Sequence, residues 1–206
     1  MNIEIRELQK KDYRKAIEYA IKGMHFDWYL DSNFLLNLYG RYFWYLEMNR
    51  ATQVFAAYVD DELAGVLLAE IKGEAKKYYS MGKAVYVKIF DVLQHLFASK
   101  GVSSYDDANN ELFETYCKDN TPDGEIIFLA ANPNIKAKGI GSLLLKELEK
   151  REPGKQIYLY TDNACTYQFY EHRDFERVGE KEIVLELGKK SVDLTCFLYS
   201  KTVEKL

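Results

Sequence analysis

Residues 129–142 decide the fold, and they read Leu-Ala-Ala-Asn-Pro-Asn-Ile-Lys-Ala-Lys-Gly-Ile-Gly-Ser. They continue the apolar run that starts at Glu125 (Glu-Ile-Ile-Phe), and a continuous apolar run of this length is typical of a strand buried on both faces. Downstream, residues 139–151 space their apolar side chains as a helix does, and Glu152-Pro153-Gly154 predicts its end. The stretch therefore predicts a buried strand, a tight loop and a helix whose first turn is rich in glycine.

Such a loop suits an anionic ligand. The first turn of a helix has free backbone N–H groups and a partial positive charge. Gly139 and Gly141 let the backbone approach a phosphate oxygen closely, and Lys136 and Lys138 add charge. The pattern matches neither a Walker A loop nor a dinucleotide fingerprint, which needs glycine where Leu144 stands. From these residues alone, an ordinary turn with glycines for packing stays open beside a phosphate or pyrophosphate site.

Composition narrows the class of protein. A length of 206 residues predicts one domain, and 48% hydrophobic with 29% charged residues is a globular mix. The net charge is 28 − 32 = −4, so no global basic field exists to hold a nucleic acid, although a local basic site stays open. Three cysteines without a CxxC pair indicate reduced thiols, and neither a signal peptide nor an apolar run of about 20 residues is present. We expect a cytoplasmic protein that binds neither nucleic acid nor membrane.

Hydrophobic periodicity predicts strands and helices in alternation, ending in an antiparallel hairpin. The predicted strands are 3–8, 53–59, 63–71, 125–131, 156–161, 175–187 and 191–200. Helices follow Asp12, Asn33 and Gly139, and another is capped at Asp162-Asn163 and runs to Arg173. Residues 72–124 are predicted to be an insertion of two helices, the second of which opens at Asp106-Asp107. This order predicts a mixed sheet with helices on both faces.

A second block supports the first. Residues 160–175 read Tyr-Thr-Asp-Asn-Ala-Cys-Thr-Tyr-Gln-Phe-Tyr-Glu-His-Arg-Asp-Phe. Together the two blocks resemble the GNAT superfamily of acyl-CoA-dependent N-acyltransferases. In that family the first block is a strand, often a Pro, and then Gln/Arg-x-x-Gly-x-Gly/Ala at the start of a helix. The second block is a strand, an Asn, a short helix and then Phe-Tyr-Glu-x-x-x-Phe. Three positions depart from that pattern: Lys136 replaces Gln or Arg, Ala137 stands where Gly is frequent, and Asp174 replaces Gly.

The resemblance implies an α/β fold with a mixed, mostly antiparallel sheet that is splayed between strands four and five. It implies one domain over residues 1–206, with the helical insertion at about 72–124. The implied activity is N-acetyl transfer from acetyl-CoA to a primary amine of a small molecule or peptide, by direct attack of the amine on the thioester. The alternative is a catalytically weak or inactive relative that binds acyl-CoA as a sensor, and the departures at Lys136 and Asp174 leave it open.

The resemblance also assigns roles by position. The pantetheine arm would lie along Leu129, Ala130 and Ala131, with further cofactor contacts at Asn163 and Tyr167. The backbone from Lys136 to Ser142 would bind the pyrophosphate through Lys136, Ala137, Lys138, Gly139, Ile140, Gly141 and Ser142. A backbone N–H near Ala131 would stabilise the thioester oxygen, and Tyr170 would protonate the leaving sulfur as general acid.

The general base is less determined. Glu70 at the end of the third strand and Glu125 at the start of the fourth are candidates, although solvated strand-end carboxylates are the alternative.

Other residues bear on the acceptor side and on metal binding. Aromatic residues in 26–29 and 42–45 would wall the acceptor pocket or simply pack the core. The three histidines lack metal-ligand spacing, Cys165 has no evident His partner, and we expect no metal. Edge strands and the C-terminal hairpin would permit a homodimer.

Overall fold

The computed structural model describes residues 2–28, 30, 32–97, 101–132, 134–135, 137–187 and 190–205. It contains a seven-stranded sheet in the order β1-β2-β3-β4-β5-β7-β6. The strands are β1 (Ile3–Arg6), β2 (Gln53–Val59), β3 (Glu62–Ile71), β4 (Gly124–Ala131), β5 (Gln156–Asp162), β6 (Glu176–Leu187) and β7 (Lys190–Thr202). Neighbouring strands run antiparallel except β4 and β5, which run parallel. The predicted mixed, mostly antiparallel sheet is confirmed.

Helices cover both faces of this sheet, as predicted. They are α1 (Tyr13–Gly23), α2 (Asn33–Arg50), α3 (Met81–Phe97), α4 (Gly101–Tyr116), α5 (Ile140–Arg151) and α6 (Gln168–Glu171). On one face α1 and α2 bury Ala20, Trp44 and Met48 against alternate residues of β2 and β3. On the other face α5 buries Leu144 and Leu148 against the remaining alternate residues. Burial of these side chains on two faces is what holds the central strands in place.

Two predicted helix boundaries were wrong. The helix after Asp162-Asn163 is only the four-residue α6, because β5 continues to Asp162, which pairs with Cys196, and the chain turns through residues 163–167 before the helix begins. In the insertion, α4 begins at Gly101 and not at Asp106. Its packing against β6 and β7 outweighs the low helix propensity of glycine and serine.

Within the described ranges, no helix is both long enough and apolar enough to span a membrane.

Candidate functional site

A wedge-shaped gap opens between β4 and β5. The two strands pair at Gly124 with Ile157 and at Glu125 with Tyr158, which we call the apex of the gap. Beyond the apex, β4 continues for six residues to Ala131 and β5 continues to Asp162 without pairing to each other. At about 3.3 Å per residue, the open edge of β4 is about 20 Å long. The sheet is therefore splayed where the sequence predicted it.

The open edge of β4 presents backbone amides to the gap. Asn132 donates its N–H to Ala64 on the β3 side at 2.7 Å. Because alternate residues of a strand turn their amides to opposite neighbours, the amides of Leu129 and Ala131 face the gap. A bulge at Ile127 lies between these residues and the apex, since Leu68 pairs with Phe128 while Ala69 pairs with Ile126. Leu129 and Ala131 therefore lie where a ligand could pair with the strand.

The loop after β4 leads into α5 at the mouth of the gap. Gly139 has φ +81° in the left-handed region, which explains the glycine at this position. The first intrahelical bond runs from Leu143 N–H to the Gly139 carbonyl at 3.0 Å, so the N–H groups of Ile140, Gly141 and Ser142 have no acceptor within the helix. Lys138 is exposed beside them. Pro133 and Lys136, which the motif includes, lie outside the described residues.

The segment around α6 holds the first turn of α5 in position. A Cβ added to Gly141 would lie 3.1 Å from the Phe169 ring, so a larger residue here would require the ring to shift by a few tenths of an ångström. Arg173 stacks over the same ring at 3.6 Å and donates from Nε to Ser142 Oγ at 3.2 Å. Asp174 then turns the chain with φ +61°, as expected for a residue that replaces glycine. The sequence alone did not identify Arg173, because nothing in its spacing indicates a bond to a helix 31 residues earlier.

Four residues from the two sequence blocks pack against the same core cluster. Leu129, Ala137, Tyr167 and Tyr170 pack against the core cluster on the α5 face. Burial raises the pKa of the Tyr170 phenol well above its ordinary value, with the Cys165 thiol acting in the same direction. Among the residues that the structure describes, none hydrogen-bonds the Tyr170 hydroxyl. Tyr170 is therefore a neutral phenol with a proton to donate.

Asn163 and Cys165 are placed differently. The Asn163 side-chain oxygen accepts the Thr195 N–H at 3.0 Å, so this side chain is turned toward β7 and away from β4. The Cys165 thiol lies 3.7 Å from the carbonyl oxygen of Gly23, at the end of α1. Burial, together with Asp162, raises the pKa of Cys165 to about 12. Burial and Asp162 therefore disfavour the thiolate of Cys165, in line with the expectation that this residue is not a nucleophile.

The two predicted base candidates lie at the apex, directly opposite each other in the β3–β4 register. Both bind Arg50 of α2, which donates from Nε to Glu70 at 2.9 Å and from Nη2 to Glu125. Glu125 is 7% exposed and also accepts the Tyr158 hydroxyl at 3.0 Å. Glu70 is half-buried, and burial by itself would raise its pKa. Lys76 and Arg50 outweigh this effect, so the pKa of Glu70 is lowered. Neither is a freely solvated strand-end carboxylate.

A third carboxylate completes this group, and the sequence did not identify it. Glu47 is one turn before Arg50 on α2, is 8% exposed, and lies 3.4 Å from Arg50 Nη1. Burial raises the pKa of Glu47 to about 7, and the neighbouring Glu125 adds to this effect. The signal that the sequence offered was a glutamate, Glu47, on a helix that packs against the sheet. The sequence does not show its partners, because they include residues of distant segments that only the folded structure brings together.

Aromatic side chains of α2 and α3 lie on the same face as this group. Tyr42 donates to Asp91 at 2.7 Å and stacks on Phe90, and Tyr39 packs edge-on against Phe26. Burial raises the pKa of Tyr39 to about 12, with Asp106 of α4 and Glu47 adding to it. Tyr42 and Phe26 thus belong to an aromatic wall between α2 and the insertion, whereas Trp44 is wholly buried core.

Replacing Arg50 tests whether this guanidinium holds the apex together. In Arg50→Met, Glu47 and Glu125 would stay buried without a cation, so we expect a loss of about 3 kcal/mol in unfolding free energy at pH 8. The loss should shrink as the pH falls to 5, because Glu47, whose pKa burial raises to about 7, then binds a proton in the folded state. Urea unfolding at both pH values measures this.

The matched control is Arg14→Met, which removes an exposed i,i+4 ion pair with Glu18. It should change stability by less than about 1 kcal/mol. An equal effect of both substitutions would show that Arg50 has no special role.

Solved structures share this fold over nearly the whole chain. PaiA N-acetyltransferase from Thermoplasma acidophilum, in complex with coenzyme A, aligns with a TM-score of 0.51 at 17% identity, covering 98% of this chain and 99% of that one. For yncA from Salmonella typhimurium, solved with acetyl-CoA, the TM-score is 0.53 at 12% identity, with coverage of 99% and 95%. Ribosomal-protein-alanine N-acetyltransferase from Brucella melitensis aligns at 0.52 and 14% identity, with coverage of 97% and 99%. At these identities the likeness shows the fold alone.

Sequence comparison identifies the family. No curated protein sequence matches this chain significantly. The model of the acetyltransferase (GNAT) family matches residues 4–175, which include the splayed strands, the glycine-rich loop and α6. Because this match covers most of the sequence, the chain belongs to the acetyltransferase (GNAT) family.

Proposed function

We propose that the protein transfers an acetyl group from acetyl-CoA to a primary amine of a small molecule or peptide. The observation that carries this proposal is the unpaired gap between β4 and β5, with free amides along one edge and at its mouth. Family membership supports acetyl transfer, and relatives of the same fold were solved with coenzyme A and with acetyl-CoA. The three cysteines are free, which supports the expectation of a reducing, cytoplasmic setting.

The residues at the mouth fit a diphosphate. The N–H groups of Ile140, Gly141 and Ser142 can donate to phosphate oxygens, and Lys138 supplies positive charge beside them. A Cβ at Gly139 would meet nothing within 4 Å, so the approach to the loop is open. The pantetheine arm would then run beside the open edge of β4 from Leu129 to Ala131, as a neighbouring strand would, and could pair with the Leu129 amide.

Two groups of the chain serve the chemistry. Acetyl-CoA supplies a thioester whose carbonyl carbon accepts the amine nitrogen. The Ala131 N–H would stabilise the negative charge that develops on the carbonyl oxygen. Tyr170 would give its phenol proton to the sulfur as the C–S bond breaks, and it would regain a proton from solvent. Roles for Glu70 or Glu125 as the base, and a homodimer, stay predictions.

The alternative of an inactive sensor has little support. Asp174, one of the two departures that left it open, takes the left-handed conformation that the missing glycine would supply. Tyr170 is present as a neutral phenol against the core.

Binding and turnover test the proposal directly. Acetyl-CoA should raise the melting temperature, because it binds the native state, and coenzyme A thiol should be released when a panel of primary amines is added.

Lys138→Glu should weaken acetyl-CoA binding about tenfold, since it places a negative charge beside the diphosphate. Lys146→Glu, an equally exposed change further along α5, is the control and should bind normally. If acetyl-CoA does not change the melting temperature of the wild-type protein, the proposal is contradicted.

Removing one hydroxyl tests the acid. Tyr170→Phe should lower kcat about 100-fold or more and leave the Kd for acetyl-CoA unchanged, because the ring still packs and only the proton donor is lost. Stopped assays of thiol release and a calorimetric titration measure the two quantities. Tyr78→Phe, which removes a hydroxyl near the start of β2, should leave both unchanged. Full turnover in Tyr170→Phe would remove Tyr170 from the acid role.

A further inference from the structure

The helix α3 carries an apolar face that the described part of the chain leaves uncovered. Its sequence from Met81 to Phe97 contains only three charged residues, which are Lys83, Lys88 and Asp91. A helix that is apolar nearly all round is typical of one that is covered on several sides. Because α3 packs mainly against one neighbour, α2, part of its apolar surface is left facing outward.

Exposure separates the inner face of α3 from the outer one. Toward α2, Tyr86 donates its hydroxyl to the Leu38 carbonyl at 3.2 Å, and Phe90 stacks on Tyr42. The outer side chains are large, apolar and mostly exposed, and they are Met81 (75%), Val85 (54%), Ile89 (58%) and Val92 (60%). Spacings of four, four and three residues place these four on one side of the helix, and we call them the outer stripe.

The outer stripe is large enough to be the apolar centre of an interface. Single apolar residues scattered over a surface need no explanation, whereas a contiguous exposed row marks a contact with another molecule. At roughly 100 Å² each, the four side chains offer about 400 Å² of apolar surface. This is about half of the area that one partner contributes to an interface of standard size, and the centre of such an interface is its most apolar part.

Two charges beside the outer stripe indicate what covers it. Lys88 and Asp91 flank the same side of the stripe, one turn apart. Asp91 accepts the Tyr42 hydroxyl, but among the described residues neither Lys88 nor Asp91 forms an ion pair. Each of these charges therefore lacks an opposite charge within the described chain.

A second copy of α3 supplies both missing charges. When two identical helices pack antiparallel about a two-fold axis, side chains on the same side of each helix face each other. An axis level with Ile89 and Phe90 places Lys88 of each copy opposite Asp91 of the other, because 88 + 91 = 89 + 90. In the same arrangement, Val85, Ile89 and Val92 of one copy interdigitate with the same residues of the other.

We propose that the protein forms a homodimer in which the outer stripes of two α3 helices pack antiparallel across a two-fold axis. The apolar side chains form the centre of the interface, and two Lys88–Asp91 pairs flank it. This dimer uses the segment between β3 and β4, and not the edge strands or the C-terminal hairpin that the sequence indicated. It is independent of the acetyl transfer proposed above. Because Phe90 and Tyr42 stack on the inner face of α3, the second copy also holds the aromatic wall in place.

Molar mass in solution tests the proposal. At micromolar concentration, light scattering coupled to size exclusion should give the wild type the mass of two chains, 2 × 24.0 = 48.0 kDa. Ile89→Glu should weaken dimerisation about 100-fold or more, because it places a charge in the apolar centre of the interface. Ile89 is already 58% exposed, so this variant should keep the circular dichroism spectrum of the wild type.

The matched control is Val184→Glu. Val184 is 56% exposed and lies on the edge strand β6, so the control makes a similar apolar-to-acidic change on a different surface. It should remain a dimer.

Reversing the two charges tests the antiparallel arrangement. Lys88→Asp and Asp91→Lys should each weaken the dimer, because each places like charges opposite each other. The double variant should dimerise more tightly than either single variant, since opposite charges then face each other again. If the double variant is no tighter than the single ones, Lys88 does not face Asp91 of the other copy and the arrangement is overturned.

Other results would overturn the dimer itself. A wild type with the mass of one chain would do so, as would an Ile89→Glu variant that stays as dimeric as the wild type. If the wild type is a single chain that binds vesicles of anionic phospholipid while Ile89→Glu does not, the outer stripe contacts a membrane and the proposal is wrong. The proposed function is tested separately, by acetyl-CoA binding and thiol release.

Discussion

The separation of β4 from β5 is the constraint on which the rest of this structure depends. A buried strand normally satisfies its backbone groups through both neighbours, and β4 does so with β3 along its length but with β5 at two residues. The unpaired edge leaves hydrogen-bonding groups that a ligand can satisfy. The loop and α5 add their own free amides at the wide end. One irregularity in the sheet thus creates both the binding edge and the anion site.

Packing on each face keeps the gap open without letting the strands drift apart. On one side, α5 lies so close to β3 that a Cβ at Gly65 would be 2.7 Å from Ile140. At the narrow end, Arg50 ties α2 to β3 and β4, and Tyr158 ties β5 to the same carboxylate of Glu125. The apex is therefore fixed by charge-assisted hydrogen bonds, and the wide end is fixed by apolar contact.

The sequence predicted the parts of the fold that local pattern controls. The run from Leu129 to Ser142 carries its strand and helix start in its own residues, and the structure reproduces both. The predicted length of α6 was wrong because β5 continues to Asp162, which pairs with Cys196, and the chain then turns before it becomes helical at Gln168.

The ion pairs of Arg50 at the apex could not be predicted from the sequence for a different reason. Arg50 and Glu125 are 75 residues apart, and only the assembled sheet brings them together. Of the predicted site, Tyr170, Tyr167, Leu129 and Ala137 share one cluster, whereas Asn163 turns to β7. Roles in chemistry for any of them stay predictions, because distances to a bound substrate decide them.

A crystal structure of the protein with coenzyme A tests the central claim most directly. The diphosphate should lie on the N–H groups of Ile140, Gly141 and Ser142, and the pantetheine arm should run between β4 and β5 beside Leu129 and Ala131. Coenzyme A bound elsewhere, or β4 and β5 paired along their full length in the complex, would contradict the account.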